Sequence, residues 1–256
     1  MIIGGWIRAF AVVLLAGGLA CSPGEPSRET SPATDGRSSL EQSLPVTDQV
    51  IKFSGFSIWF REAGHGPVVL LLHGWRGNAD QWRQQIQTVA GSGWRVIIPD
   101  LPGTRNSELE DESLDRRDAD LHVRALTSLL DHLQVQSAHV VGHSWGGMIA
   151  RRLVLDHPDR VASLVLVDSG VHQGEIDDLE RIDCPTLIVW AENDTVAPLK
   201  VGRSLSELIP DAELVVIREV GRNVDPTEDP VASHIPPLYK PDEFNRHLLD
   251  FLQNRR

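Results

Sequence analysis

From Asp48 onward, short apolar runs alternate with amphipathic stretches. Val68–Leu72 is five apolar residues in a row, the pattern of a strand covered on both faces. Leu164–Val167, Leu187–Trp190 and Leu214–Ile217 repeat that pattern, and Trp94–Ile98 and Ala138–Val141 do so with one polar residue each, Arg95 and His139. Helical stretches lie between them. Ala79–Ala90 is one, and Leu114–Leu133 is another, with its stripe at Leu114, Leu121, Ala125, Leu129 and Leu133. Met148–Leu155, Leu199–Leu208 and Pro241–Leu252 are the rest. Val50–Phe53 and Phe56–Arg61 flank Ser54-Gly55 and predict a hairpin. The alternation predicts a mostly parallel sheet with helices on both faces. Function in such sheets gathers at the carboxyl ends of the strands.

One of those strand ends carries a motif. Val140-Val141-Gly142-His143-Ser144-Trp145-Gly146-Gly147 places G-x-S-x-G between an apolar strand and a helix. A nucleophilic serine there needs a sharp turn that lifts its hydroxyl above the sheet. Gly142 and Gly146 remove the side chains that would collide in that turn. Ser144 is therefore the expected nucleophile.

The first 20 residues follow a different pattern. Arg8 is their only charge, Ala9–Leu15 is continuously apolar, and Gly17, Gly18 and Ala20 are small. These features predict an export signal whose apolar run is too short for a comfortable membrane span. Cys21 follows, and Ser22–Val46 is rich in Ser, Pro, Thr and Gly. The expected organisation is a signal peptide over 1–20, a flexible linker over 21–47 and one catalytic domain over 48–256. The leader resembles that of bacterial lipoproteins, which implies lipidation of Cys21 and a cell-envelope location. Gly18-Leu19-Ala20 equally fits a plain signal-peptidase site that would release a soluble secreted or periplasmic protein.

Composition excludes some classes. The formal net charge is −12, with no basic stripe, so nucleic acid is not an expected partner. No metal-ligand spacing such as H-E-x-x-H occurs, and neither a metal nor a cofactor is expected. Of the two cysteines, Cys184 precedes an apolar run and reads as a small buried thiol.

Around Ser144 the chain resembles the α/β-hydrolases, over about Gln49 to Gln253. Leu72-His73-Gly74-Trp75 with Asp80-Gln81-Trp82 is similar to their oxyanion segment. Asp100-Leu101-Pro102-Gly103-Thr104-Arg105-Asn106-Ser107 is similar to their D-x-x-G-x-G-x-S loop, with Arg105 where the family usually has Gly. The resemblance implies an eight-stranded sheet and an oxyanion hole formed by the backbone N–H groups of Trp75 and Trp145. His73 is expected to brace its loop.

The resemblance also implies a chain order of serine, then acid, then histidine. Ala191-Glu192-Asn193-Asp194-Thr195-Val196-Ala197-Pro198 is similar to the family's acid loop, with Ala191 in place of Gly. Asp194 takes the acid role, Asp168 is the alternative, and Glu192 is expected to be solvated. The family's base commonly follows a Gly soon after the last strand, but Gly221 is followed by Arg222, which stays protonated. His234 lies seven residues before Pro241 of Pro241-Asp242-Glu243-Phe244, as the family's histidine does. His234 is therefore the expected base, displaced by an insertion over about Arg222–Ser233. Pro226, Pro230 and the acids Asp225, Glu228 and Asp229 make that insertion an expected ordered wall beside the pocket.

The expected reaction is cleavage of a carboxylic ester or thioester, with a small acyl compound as substrate and a membrane contact only through Cys21. An acyltransferase or cofactor-free perhydrolase on the same residues is a second class. An inactive binding scaffold is a third, opposed by the complete set of residues. Ser169–Asp183 is too short for a cap of several helices, so the site is expected to be open.

Overall fold

The structure is a computed structural model that describes residues 43–170 and 176–255. The expected signal peptide, Cys21 and nearly all of the expected linker lie outside the described residues. Among the described residues no helix is long and apolar enough to cross a membrane.

Eight strands form one sheet: β1 (Val46–Phe53), β2 (Phe56–Ala63), β3 (Val68–Leu72), β4 (Arg95–Pro99), β5 (Ala138–His143), β6 (Val161–Val167), β7 (Thr186–Ala191) and β8 (Ala212–Ile217). Their spatial order is β1-β2-β4-β3-β5-β6-β7-β8. The β1–β2 hairpin runs antiparallel, β2 pairs antiparallel with β4, and every later pairing is parallel. The helices are α1 (Ile86–Gly91), α2 (Ala119–His132), α3 (Trp145–Asp156), α4 (Leu199–Leu208), α5 (Pro236–Tyr239) and α6 (Pro241–Gln253).

The wholly apolar strands are buried on both faces, as their pattern predicts. Leu70 and Leu72 of β3, with Leu164 and Leu166 of β6, pack beneath α2, α3 and α4. Val69, Leu71, Val165 and Val167 point the other way, beneath α1 and α6. That alternation is the period of two inherent in a strand. Each fully buried side chain of this kind contributes roughly 1.5–3 kcal/mol.

Some boundaries differ from the sequence pattern. Val46 and Thr47, expected in the linker, already pair with Ala63 and Glu62, and the backbone of Leu44 exchanges two hydrogen bonds with the Gln87 amide. The ordered domain thus starts a few residues earlier. Ala79–Ala90 is not one helix but a 3-10 turn over Ala79–Trp82 followed by α1. Asn78 caps the turn by accepting from the Asp80 N–H. Gln85, buried at the break, donates to the Pro237 carbonyl and to Asn245, a long-range anchor that no local pattern encodes. α2 begins at Ala119 rather than Leu114, because Asp118 accepts from the Asp120 N–H and so sets the cap. Cys184 is half-buried against the core rather than fully enclosed. Burial still pushes its thiol up to about 11.

Candidate active site

Register brings the loops together. Leu72 of β3 lies opposite Gly142 of β5, so Gly74-Trp75 and Ser144-Trp145 leave the sheet side by side. β6 flanks β5 on the other side, with Val167 opposite His143. The Ser144 N–H donates to the Val167 carbonyl at 2.9 Å.

Ser144 stands at φ 50°, ψ −114°, a conformation that costs a non-glycine residue roughly 1–3 kcal/mol. The surrounding packing enforces it. A Cβ on Gly142 would lie 2.4 Å from the Gly146 carbonyl oxygen, and one on Gly146 would lie 2.5 Å from that of Leu72. The turn closes on itself because both side chains are absent. α3 starts at Trp145, so its positive end faces the space above Ser144. A Cβ on Gly74 would be 3.3 Å from the Ser144 Cβ and 2.7 Å from His143 Nδ1. The glycine therefore allows the Trp75 loop to approach the serine. The Trp75 and Trp145 rings meet edge to face at 5.6 Å.

Asp194 and His234, 40 positions apart, come together. Nδ1 of His234 lies 2.7 Å from Oδ2 of Asp194, and both side chains are buried. The other carboxylate oxygen of Asp194 accepts from the N–H groups of Val196 and Ala197, which fixes the carboxylate. An imidazole whose Nδ1 faces a carboxylate holds its proton there and presents Nε2 as the basic nitrogen. Nε2 of His234 is buried and makes no hydrogen bond, to Ser144 or to any other described residue. The neighbour of Ser144 does reach the histidine. His143 Nε2 donates to the His234 carbonyl at 2.6 Å, with the two rings 4.8 Å apart.

Asp168, the alternative acid, is placed otherwise. Its Oδ1 accepts from the Ala191 N–H at 2.8 Å, and its Oδ2 has no partner. Burial, and then the nearby Asp194 charge, hold its carboxyl well above the usual range. Glu192 is exposed, 3.9 Å from Arg218. His73 Nε2 accepts from the Leu101 N–H, which leaves the ring proton on Nδ1, facing the Gly74 carbonyl. Burial lowers its pKa to about 4, so the imidazole is a neutral brace for the loop.

His143, Asp168 and His234 bring ligand-type atoms within 4.8 Å of one another. A cation would compete there with the His143 donation to a carbonyl and with the Asp194 contact of His234. These donors therefore fit proton chemistry better than metal binding.

The segment after Gly221, expected to be an insertion, is held by its own acids. Asp225 accepts from Thr227 through backbone and hydroxyl, Asp229 accepts from the Val231 N–H, and the Tyr239 hydroxyl donates to Asp229. Ser233 meets Thr195 at 3.1 Å, which links the insertion to the Asp194 loop. Arg222, Val224 and Tyr239 border a cleft of their own, not the pocket between Trp75 and Trp145. The expected wall thus flanks the histidine rather than that pocket.

Arg105, at the position where glycine was expected, has φ 39°, so the backbone does take the left-handed shape. Its guanidinium reaches Asp80 at 2.5 Å and Asn78 at 3.1 Å. These contacts, which the sequence did not reveal, offset the strain.

The alpha/beta hydrolase fold family matches residues 67–183. The chain has the α/β-hydrolase fold. Across 300 aligned residues, 87% of this chain and 99% of the relative, it is 24% identical to a 2-hydroxy-6-oxo-6-phenylhexa-2,4-dienoate hydrolase of Comamonas testosteroni. It is 37% identical to an epoxide hydrolase of Caballeronia sordidicola over 140 residues, 54% of this chain and 42% of that protein. Among solved structures, an N-acyl homoserine lactone degrading enzyme superposes with a TM-score of 0.68 at 25% identity, over 79% of this chain and all of that one. Among the described residues no large cap covers the fold. The described part of the link between β6 and β7 holds one short 3-10 turn, Ile176–Arg181.

Proposed function

We propose that the protein is a serine hydrolase that cleaves a carboxylic ester or thioester through an acyl-enzyme. The observation that carries this reading is the buried 2.7 Å contact between Asp194 and His234, in loops beside the strained Ser144. In the proposed reaction His234 Nε2 takes the Ser144 proton as the hydroxyl oxygen attacks the acyl carbon. Asp194 holds the imidazole and stabilises its charged form. The N–H groups of Trp75 and Trp145 receive the negative charge on the carbonyl oxygen. Each such donor typically contributes about 3–4 kcal/mol in the transition state. His234 returns the proton to the leaving alcohol or thiol, and water then releases the acid by the same steps in reverse roles.

The relatives include an epoxide hydrolase and a carbon–carbon bond hydrolase. Epoxide hydrolases use aspartate at the position of Ser144, and carbon–carbon cleavage calls for an enclosed pocket, so neither activity fits this site as well. A fluorophosphonate probe tests the proposal. Wild type should be labelled and Ser144→Ala should not, and ester turnover should fall by several decades. Labelling that persists in Ser144→Ala refutes it. Export and lipidation of Cys21 are a separate proposal. A palmitate analogue should tag the wild type and not Cys21→Ser, and an untagged wild type would refute lipidation.

A further inference from the structure

Next to the Ser144-Trp145 turn, Gly74, Trp75, Leu101, Thr104 and Trp145 line a shallow apolar recess of about 20 Å³, and two arginines, Arg76 and Arg116, border it. The Arg116 guanidinium carbon lies 5.6 Å from the centre of the Trp75 ring. Trp75 in turn meets Trp145, whose ring lies edge to face with His122 at 6.0 Å. The Arg116 carbonyl contacts His122 Nε2 at 2.8 Å, which fastens the arginine to that aromatic group.

Arg76 is placed at a conformational cost. The Gly77 N–H donates to the Gly74 carbonyl at 3.0 Å, closing a four-residue turn whose third position demands positive φ. Arg76 occupies that position at φ 60°, where glycine would be unstrained. Arg105 too is left-handed, and Asp80 and Asn78 hold its guanidinium. Among the described residues Arg76 forms no ion pair that would offset this cost. Arg116 forms none either. The nearest acid in sequence, Asp115, feels the Arg116 charge but bonds Arg117 through both carboxylate oxygens, and Asp118 caps α2. In a chain of net charge −12, two arginines without an ion pair among the described residues border one apolar recess.

We propose that a substrate whose apolar segment ends in a carboxylate lies across this recess on the exposed Trp75 ring, bound by Arg76 and Arg116. This rests on the serine-hydrolase reading and narrows it to esters such as the half-esters of dicarboxylic acids. The apolar stem lies against Trp75 and Trp145, and the guanidinium forks match a carboxylate geometrically. Hydrolysis breaks the acyl carbon–oxygen bond, water supplies the new carboxyl oxygen, and the alcohol leaves with a proton.

The test compares p-nitrophenyl glutarate with p-nitrophenyl pentanoate, which have acyl chains of equal length. Wild type should prefer the glutarate. In Arg76→Gln and Arg116→Gln the glutarate-to-pentanoate ratio of kcat/KM should fall about tenfold or more, mainly through KM, as expected on losing a charge-assisted hydrogen bond. A ratio near one in wild type, or one that neither variant moves, overturns the proposal. A second arm needs no turnover. In Ser144→Ala, tryptophan fluorescence should respond to 4-phenylbutyrate and not to its amide, and Arg116→Gln in that background should remove the difference. Carboxylate binding without fluorophosphonate labelling of wild type would overturn the hydrolase reading and leave the anion pocket standing. Labelling without carboxylate preference would do the reverse. Inorganic phosphate competing as well as 4-phenylbutyrate would overturn the choice of a carboxylate with an apolar stem.

Discussion

Lowering the pH from 7 towards 4 should unfold this protein through histidines outside the proposed chemistry. Burial lowers His73 to about 4 and His143 to about 3, against about 6.5 in an unfolded chain. Below pH 6.5 the unfolded chain binds protons that these two native imidazoles refuse. Stability therefore falls with falling pH, by about 1.4 kcal/mol per pH unit for each. By pH 4 each has removed roughly 3 kcal/mol, and together they consume much of the 5–15 kcal/mol typical of a domain. His122 and His139 are also lowered by burial and act in the same direction. Asp168 opposes them. Its raised pKa means that the native state keeps a proton the unfolded chain has lost, so in that interval stability grows as the pH falls. Asp168→Asn retains an acceptor for the Ala191 N–H and removes this opposing slope. The assay is urea unfolding followed by tryptophan fluorescence at pH 7, 6, 5 and 4.5. Wild type should lose stability on the acid side, and Asp168→Asn should be more stable at pH 7 and lose stability more steeply. A wild-type midpoint that stays flat from pH 7 to 4.5, or equal slopes for both proteins, refutes the reasoning.

Asp194→Asn should lower kcat on an active ester by about 10³–10⁴-fold by mis-setting the His234 tautomer, while circular dichroism stays native. An intact rate would show that another acid serves. Gly146→Ala should lower Tm by many degrees or prevent folding, because its Cβ would meet the Leu72 and His73 carbonyls at 2.5 and 2.6 Å; calorimetry decides. Tyr239→Phe should cost about 1 kcal/mol by removing the donor to Asp229. It should also speed proteolysis within 222–233, and an unchanged cleavage pattern would mean that this bond does not pin the insertion.

The sequence on its own determined the buried strands, because short runs of mostly apolar residues between turns and helical stretches suit a position covered on both faces. It determined the Ser144 turn, because G-x-S-x-G between strand and helix is a local steric requirement. The resemblance to the α/β-hydrolases, through the seven residues between His234 and Pro241, made His234 the expected base despite Arg222. Tertiary structure decided which carboxylate meets that histidine. Asp168 and Asp194 both follow apolar strands, and only the packing of loops after β6 and β7 sends Asp194 to Nδ1 while Asp168 turns to the Ala191 N–H. It also decided that 79–90 is broken, because Gln85 finds Pro237 and Asn245 more than 150 positions away. The same holds for Arg76 and Arg116, which lie 40 positions apart in the chain and meet at one pocket. Local patterns encode burial and turn geometry. Distances between loops come from strand order and register, which no stretch of sequence contains.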